Sequence, residues 1–190
     1  MAAAAGADAI GLVFHPDSPR ALSVEQAAAI CAELPAFVTV VGLFVDPQRR
    51  QVEAALAGCP LDILQFHGSE TADFCTAFGR RYLKAVRMGP EADPAAAASS
   101  HGARRLLLDA YRPGQAGGTG HTFQWSRIPA DLASEVVLAG GLTPANVGEA
   151  VRAVRPFAVD VSSGVEDRPG VKSAERVAAF VQGVRDADDG

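Results

Sequence analysis

An acidic residue follows an apolar run of this sequence at a position suited to proton transfer. Asp109 comes directly after the leucines at residues 106–108, which have the character of a buried strand. A carboxyl at the rim of a buried strand is partly desolvated, and desolvation can make it a competent acid near neutral pH. An aspartate there could equally cap a helix or anchor a loop, so the residues alone leave both interpretations open.

Small residues follow two other apolar runs, where they could bind a phosphate group. One run is followed by Gly140 and Gly141, and the next is followed by Ser163 and Gly164. Glycine lets a bulky anion approach the backbone, so that successive N–H groups can point at phosphate oxygens. A single pair of glycines is more often a simple turn, but two such loops at neighbouring strand ends favour a phosphate site.

Two basic side chains lie at further strand ends. Arg20 ends the loop at residues 15–20, where its guanidinium could grip a carboxylate bidentately; a solvated surface arginine is the usual alternative. His67 precedes Gly68, where a histidine bonded within the core or a loop is more common than a catalytic one. The glycine-rich segment at residues 114–120 could close over a ligand or serve only as a flexible loop.

Seven short apolar runs alternate with helical patterns, which predicts a parallel sheet covered by helices. Ser23 suits the N-cap of one helix, and Thr143 and Pro144 suit the cap and first turn of a later one. A doubly wound sheet of seven strands is possible, whereas eight strands would close a barrel. The predicted strands are residues 9–14, 38–44, 63–66, 83–86, 106–108, 136–139 and 157–161, and the predicted helices are residues 24–34, 47–57, 70–78, 94–100, 125–133, 143–154 and 173–185.

The first residues of the chain favour the barrel. Residues 2–8 have the character of the last turn of a helix, which is stopped by Gly6 and runs straight into a strand. Because a chain seldom begins with the end of a helix, we expect a (β/α)8 TIM barrel that lacks strand 1 and most of helix 1. Residues 1–190 would then form a single TIM-barrel domain that is incomplete at its N-terminus.

The composition excludes several classes of protein. A hydrophobic fraction of 48% with 21% charged residues is that of a globular chain and not of a disordered one. The net charge of −5 argues against a nucleic-acid partner, and the longest uncharged apolar run, residues 36–45, is too short to span a bilayer. Three scattered cysteines without metal-ligand spacing, and the lack of a basic signal-peptide segment, favour a cytoplasmic location and no metal.

Seven segments of the chain together form a specific signature. They are GADAIGLVFHPDSPR (6–20), VGLFVD (41–46), LQFHG (64–68), LLLDAY (106–111), GGTGHTFQW (117–125), LAGGLTPANV (138–147) and RPFAVDVSSGVEDRPGVKS (155–173). In the order and spacing of these segments the chain resembles the phosphoribosylanthranilate isomerases, which are (β/α)8-barrel enzymes of tryptophan biosynthesis.

The resemblance implies an Amadori rearrangement of N-(5′-phosphoribosyl)anthranilate to the phosphorylated carboxyphenylamino-deoxyribulose. By the same resemblance Asp109 is the general acid that protonates the furanose ring oxygen, Arg20 holds the anthranilate carboxylate, and His67 lies near the substrate. No organic cofactor or metal is implied, and the expected partner is a small phosphorylated substrate bound by a monomer or a homodimer. The implied phosphate site consists of backbone amides around Gly140, Gly141, Ser163 and Gly164.

One part of the family pattern has no counterpart in this chain. The family begins with a strand ending in Lys-Ile-Cys-Gly-Ile/Leu-Thr, and the resemblance makes its cysteine the general base that removes the C2′ proton. The three cysteines present, Cys31, Cys59 and Cys75, lie on other segments, where a structural role is expected. Loss of one member of an acid–base pair commonly costs about 10²–10⁴ in rate, so we expect impaired activity and interpret the chain as a shortened version of a longer enzyme.

Two alternatives stay open. One is another phosphate-binding barrel enzyme, such as indole-glycerol-phosphate synthase or thiamine-phosphate synthase. The first of these would need catalytic lysines at strand ends, and the only lysines, Lys84 and Lys172, lie inside a strand run and after the last one. The other alternative is a non-catalytic barrel fragment that binds phosphorylated ligands.

Overall fold

The computed structural model of the chain describes residues 1–102, 106–110 and 123–188. Seven parallel strands follow one another in chain order within one sheet, which confirms the predicted number and direction. All strand bounds lie within two residues of the predicted ones. The strands are β1 (Ala9–Val13), β2 (Thr39–Phe44), β3 (Ile63–Phe66), β4 (Arg81–Arg87), β5 (Leu106–Asp109), β6 (Val137–Leu138) and β7 (Ala158–Val159).

Helices alternate with these strands, as expected for a parallel sheet. None of the helices in the described ranges is long and apolar enough to cross a membrane. The helices are α1 (Ala2–Ala5), α2 (Val24–Ala32), α3 (Arg49–Gly58), α4 (Ala72–Thr76), α5 (Pro94–His101), α6 (Ala130–Ala133), α7 (Val147–Val154) and α8 (Ala174–Asp188), with short 3₁₀ turns at Trp125–Arg127 and Ser163–Val165.

The chain divides into two compact units, Met1–Lys84 and Ala85–Gly190. In the first unit the predicted N-cap of α2 is confirmed, because Ser23 Oγ accepts from the Gln26 N–H while Gln26 Oε1 accepts from the Ser23 N–H. The core of this unit is rich in aromatic rings, with Phe44 and Phe66 centred 6.1 Å apart and each almost fully buried.

The second unit buries strand β5 completely. Helix α7 packs against α8 and buries an apolar face at the predicted helical spacing. Its buried residues are Val147, Ala150, Val151 and Val154.

Two predicted helices of this unit are wrong in their bounds. The later one begins at Val147 and not at Thr143, because the Asn146 side chain is held in the preceding loop: its Oδ1 accepts from the Thr143 N–H at 2.8 Å and its Nδ2 donates to Gly141 O at 3.0 Å. The helix predicted over residues 125–133 is split at Pro129, since proline disfavours helical backbone at the residue before it.

The last strands of the chain form a hairpin that the sequence analysis missed. Strand β8 (Glu166–Arg168) pairs antiparallel with β9 (Val171–Lys172). The turn between them contains Pro169 and Gly170, and the φ of Gly170 is 82°. A Pro-Gly pair with glycine at positive φ is a common turn signal, so this hairpin was detectable from the residues.

The first helix has the structure expected of a helix end. Helix α1 precedes β1 directly, and Gly6 after it has φ 102°, in the left-handed region. Strand β1 pairs with β2 along its whole length, from Ala9 to Val13. The strand and helix segment expected ahead of residue 1 are not supported by the seven described strands, and they stay a prediction.

Candidate active site

Asp109 is a buried carboxyl at the end of β5. Only 8% of the residue is exposed, and its backbone carbonyl accepts from the Met88 N–H at 2.8 Å. Burial, and then the negative charge of Asp160, raise the pKa of Asp109 from 3.8 to about 6, against the opposing effects of the Ala110 N–H and of Arg87. The carboxyl can therefore hold a proton close to neutral pH, which favours the acid interpretation over a plain cap.

The loop after β6 passes directly against this carboxyl. Gly140 and Gly141 have φ values of 80° and 69°, which L side chains rarely adopt. A Cβ on Gly140 would lie 2.0 Å from the Ala110 N atom and 2.7 Å from Asp109 Oδ1. Only glycine fits at this position, and its backbone brings the β6 loop into contact with the candidate acid.

The loop after β7 is in equally close contact with the loop after β6. A Cβ on Gly164 would lie 1.9 Å from Leu142 O. Gly164 belongs to the 3₁₀ turn Ser163–Val165, which is the short extra turn typical of barrel phosphate sites. Among the described residues, the N–H groups of Gly141, Ser163 and Gly164 donate to no carbonyl or side chain, so they are available to an anion.

A second carboxyl and a lysine flank these loops. Asp160 follows β7, and its N–H donates to Leu138 O at 2.9 Å. Burial within the surrounding protein raises the pKa of Asp160, and the Lys172 ammonium opposes that rise. Because the residue also has a solvent-exposed surface, water stabilises part of its charge. The desolvated Asp109 is therefore the better candidate for a neutral, proton-donating carboxyl.

The other predicted site residues belong to the first unit. Arg20 is half-buried in the loop after β1, where its N–H donates to Ser18 Oγ at 3.1 Å. His67 is half-buried at the end of β3, where its N–H donates to Phe44 O at 2.9 Å and its ring Nε2 contacts Gln65 Nε2. The roles predicted for Arg20 and His67 stay predictions.

Two further polar clusters were missed by the sequence analysis. In the first unit Lys84 forms a buried ion pair with Glu70 at 2.8 Å. In the second unit Lys172 bonds Glu166 Oε1 at 3.0 Å, beside the 3₁₀ turn. A lysine within an apolar strand pattern needs a buried partner, and that signal could have identified the first cluster.

One predicted loop lies outside the described residues, and another prediction is that no metal or cofactor takes part. The glycine-rich segment at residues 114–120 lies outside the described ranges, as does most of the segment at residues 117–125. Within the described ranges no group of three or more His, Cys, Asp or Glu side chains could hold a metal ion. The expectation that no metal or cofactor takes part stays a prediction.

A buried carboxyl next to two glycine-rich loops at the carboxyl ends of parallel strands is typical of α/β enzymes that act on small phosphorylated molecules. The family model for N-(5'phosphoribosyl)anthranilate (PRA) isomerase matches residues 1–183 of this chain. The chain therefore belongs to the N-(5′-phosphoribosyl)anthranilate isomerase family.

Individual relatives agree with this assignment. The N-(5′-phosphoribosyl)anthranilate isomerase of Nitrosococcus oceani is 56% identical over 180 residues, which cover 94% of this chain and 87% of the relative. That of Pseudomonas aeruginosa is 56% identical over 185 residues, which cover 97% of this chain and 88% of the relative.

Solved structures of related enzymes share the fold. The phosphoribosylanthranilate isomerase of Thermotoga maritima superposes with a TM-score of 0.83 at 36% identity, covering 97% of this chain and 91% of that one. Another phosphoribosylanthranilate isomerase, in complex with reduced 1-(o-carboxyphenylamino)-1-deoxyribulose 5-phosphate, superposes with a TM-score of 0.81 at 35% identity, with the same coverage.

Proposed function

We propose that this chain rearranges N-(5′-phosphoribosyl)anthranilate to 1-(2-carboxyphenylamino)-1-deoxyribulose 5-phosphate, an aldose–ketose isomerisation of tryptophan biosynthesis. The main support for this proposal is the environment of Asp109. Its carboxyl has a pKa raised to about 6 and lies against Gly140, in the loop that contacts the turn at Gly164. A proton donor and an anion site are thus neighbours, as the opening of a sugar-phosphate ring requires.

The 5′-phosphate is held by the two glycine-rich loops. The N–H groups of Gly141, Ser163 and Gly164 supply the donors, and the missing side chains of the glycines let phosphate oxygens come within hydrogen-bonding distance. Because the phosphate does not react, this binding positions the ribose relative to the acid.

Asp109 begins the reaction as a general acid. It donates its proton to the furanose ring oxygen while the C1′–O bond breaks and the anilino nitrogen forms a C=N bond with C1′. A base then removes the C2′ proton to give an enolamine. Loss of the 2′-hydroxyl proton and protonation at C1′ give the ketone, so the overall change is an isomerisation.

The three described cysteines do not supply this base. Burial raises the pKa of Cys31 and Cys59, and it raises that of Cys75 to about 11, so none of the three is suited to act as a thiolate. By resemblance the base is a cysteine on a strand before the first segment matched here. We include that strand in the proposal as a further parallel neighbour of β1, in a single (β/α)8-barrel domain.

The proposed activity is tested by turnover of N-(5′-phosphoribosyl)anthranilate, followed through its anthranilate fluorescence. Two chains are compared: residues 1–190 alone, and the same residues preceded by a strand that ends in the family's Cys-Gly sequence. Turnover that rises with the added strand supports the proposal. Equal turnover contradicts the need for the cysteine, and turnover in neither chain leaves a phosphate-binding fragment as the better description.

Arg20 binds the anthranilate carboxylate in this proposal. Arg20→Met is expected to raise KM at least about tenfold, because a charge-assisted bidentate contact is lost. KM is measured for the natural substrate and for the analogue without the carboxylate, whose KM is expected to stay unchanged. Arg80→Met, at an exposed arginine of the same unit, is the control. An equal rise for both substrates would contradict the role.

Gly140 keeps the acid in place. Gly140→Ala is expected to lower kcat/KM by about 10², because a Cβ there would overlap the Ala110 N atom and displace the Asp109 carboxyl. The matched control is Gly79→Ala, since Gly79 also has positive φ but has no atom within 4 Å of an added Cβ. If both variants lose stability equally and neither loses activity, the contact is not functional.

The proposal also includes a cellular location and an oligomeric state. All three cysteines are free, as is usual for proteins of the reducing cytoplasm, and we propose a cytoplasmic location. The working form is a monomer or a homodimer; a related enzyme of Thermotoga maritima is described as dimeric.

A further inference from the structure

Lys172 is tied to the turn that carries the proposed phosphate donors. Its Nζ donates to the Ser162 carbonyl at 2.8 Å and to Glu166 Oε1 at 3.0 Å. Glu166 is almost fully buried, with 4% of its side chain exposed, whereas 34% of the Lys172 side chain is exposed. Lys172 is thus a cation at the edge of the turn, with two of its three donors already bonded to protein.

The hairpin around Lys172 is itself anchored. Arg176, in α8, donates from Nη1 to the Glu166 carbonyl, and the Ser173 N–H donates to Val165 O at 2.9 Å. The ammonium therefore approaches the turn from a supported β8–β9 hairpin.

The bond to Ser162 constrains a neighbouring N–H group. The Ser162 carbonyl and the Ser163 N–H belong to one peptide unit, and a trans peptide directs them to opposite sides. While Lys172 holds the carbonyl, the Ser163 N–H must face away from Lys172. Rotation of this peptide would break the lysine bond and turn the Ser163 donor away from its position at the turn.

We propose that Lys172 is a positioning residue of the phosphate site, which orients the Ser162–Ser163 peptide so that the Ser163 N–H meets the substrate phosphate. This inference rests on the proposed function, because it concerns the same phosphate site. Lys172 acts through the peptide and does not itself contact the phosphate, since its charge is already paired with Glu166.

Binding measurements separate positioning from other roles. The probes are reduced 1-(o-carboxyphenylamino)-1-deoxyribulose 5-phosphate and the same compound without its phosphate, titrated calorimetrically against the whole chain. Lys172→Met is expected to raise Kd about tenfold for the phosphorylated probe, because one oriented donor is lost, and to leave Kd for the other probe unchanged. Lys172→Arg, which can still donate to the carbonyl, is expected to restore most of the affinity.

Two further variants keep the test decisive. Arg168→Met removes an exposed cation from the same hairpin without touching the turn, and it is expected to retain wild-type affinity. Lys172→Met combined with Glu166→Gln avoids leaving a buried unpaired carboxylate, so it tests the same loss if the single variant fails to fold.

Every outcome of these binding measurements either supports or overturns the positioning role of Lys172. The inference is overturned if Lys172→Met and the double variant bind the phosphorylated probe as the wild type does, if Arg168→Met weakens binding equally, or if both probes lose affinity together. If the wild type binds the phosphorylated probe no better than the other, the phosphate site of the proposed function fails, and the positioning role fails with it.

Discussion

Replacing Asp109 with Asn is expected to lower kcat/KM for the rearrangement by about 10²–10⁴, the usual worth of a positioned general acid. The amide of Asn matches the carboxyl in size but cannot release a proton to the ring oxygen. The effect is measured by steady-state kinetics with N-(5′-phosphoribosyl)anthranilate, using the most active form of the chain. Asp131→Asn, at an exposed aspartate of α6, is the control and is expected to change nothing.

The pH profile of the wild type gives a second test of the same residue. Burial and the charge of Asp160 raise the pKa of Asp109 to about 6, so its acid form is depleted as pH rises above that value. We expect the ratio of the wild-type kcat/KM to that of Asp109→Asn to fall about tenfold per pH unit on the alkaline side, because the titration of the base affects both chains alike and cancels in the ratio. A ratio that stays constant from pH 6 to about 8 would contradict the assignment.

The same substitution is expected to stabilise the fold at alkaline pH. The pKa of Asp109 is raised from 3.8 to about 6 in the folded state. The stability that its neutral form provides is therefore fully present below about pH 3.8 and is lost as the pH rises through about 6. The difference between the two pKa values corresponds to a loss of about 3 kcal/mol in the free energy of unfolding at pH 8. Urea unfolding should therefore show Asp109→Asn more stable than the wild type at pH 8, with little difference below pH 4.

A variant that is less active and more stable distinguishes a catalytic carboxyl from a structural one. If Asp109 only anchored a loop, Asn would lower stability at every pH and leave the rate nearly unchanged. The expected result is the opposite in both respects, since active sites hold groups in states that the fold alone would not favour.

The parallel strands and the close-packed glycines of the loops after β6 and β7 were predictable because their signals are local. Each strand is a short apolar run that ends in small or polar residues, and Gly140 and Gly164 are required by contacts that no other residue type would permit. The raised pKa of Asp109 was predictable only as a direction, because burial at the strand end follows from the run before it. The contribution of Asp160 depends on an electrostatic interaction between residues distant in the chain.

The errors arose where a side chain competes with a local pattern. Thr143 and Pro144 have the residue types of a helix start, yet the Asn146 side chain bonds the Thr143 N–H and delays the helix to Val147. The ion pairs of both lysines were missed, because an alkyl chain that carries its charge to a distant partner leaves no periodic signal. Lys172 reaches Ser162, ten residues away, and Lys84 reaches Glu70, fourteen residues away.

The Lys84–Glu70 pair holds together two loops of the first unit. Lys84 Nζ donates to Glu70 Oε2 at 2.8 Å and to the Gly68 carbonyl, beside His67. Glu70 Oε1 accepts from the N–H groups of Asp46 at 2.8 Å and of Gly68 at 3.2 Å. The loops after β2 and β3 therefore share one buried carboxylate, whose charge only Lys84 is seen to balance among the described contacts.

Lys84→Met is expected to lower the free energy of unfolding by about 3–5 kcal/mol, because Glu70, with 3% of its side chain exposed, keeps a buried charge without its partner. Urea unfolding at neutral pH measures the loss. Glu53→Gln is the matched control: it breaks the Arg49–Glu53 pair, whose side chains are more than half exposed, and should cost less than about 0.5 kcal/mol.

Adding Glu70→Gln to Lys84→Met separates the charge from the packing. The amide can still accept from the Asp46 and Gly68 N–H groups through its oxygen, but it carries no charge that needs balance. We therefore expect the double variant to recover much of the stability that Lys84→Met loses. If the double variant is as unstable as the single one, the lost hydrogen bond to the Gly68 carbonyl and the altered packing of the Lys84 side chain, and not an unbalanced charge, account for the loss.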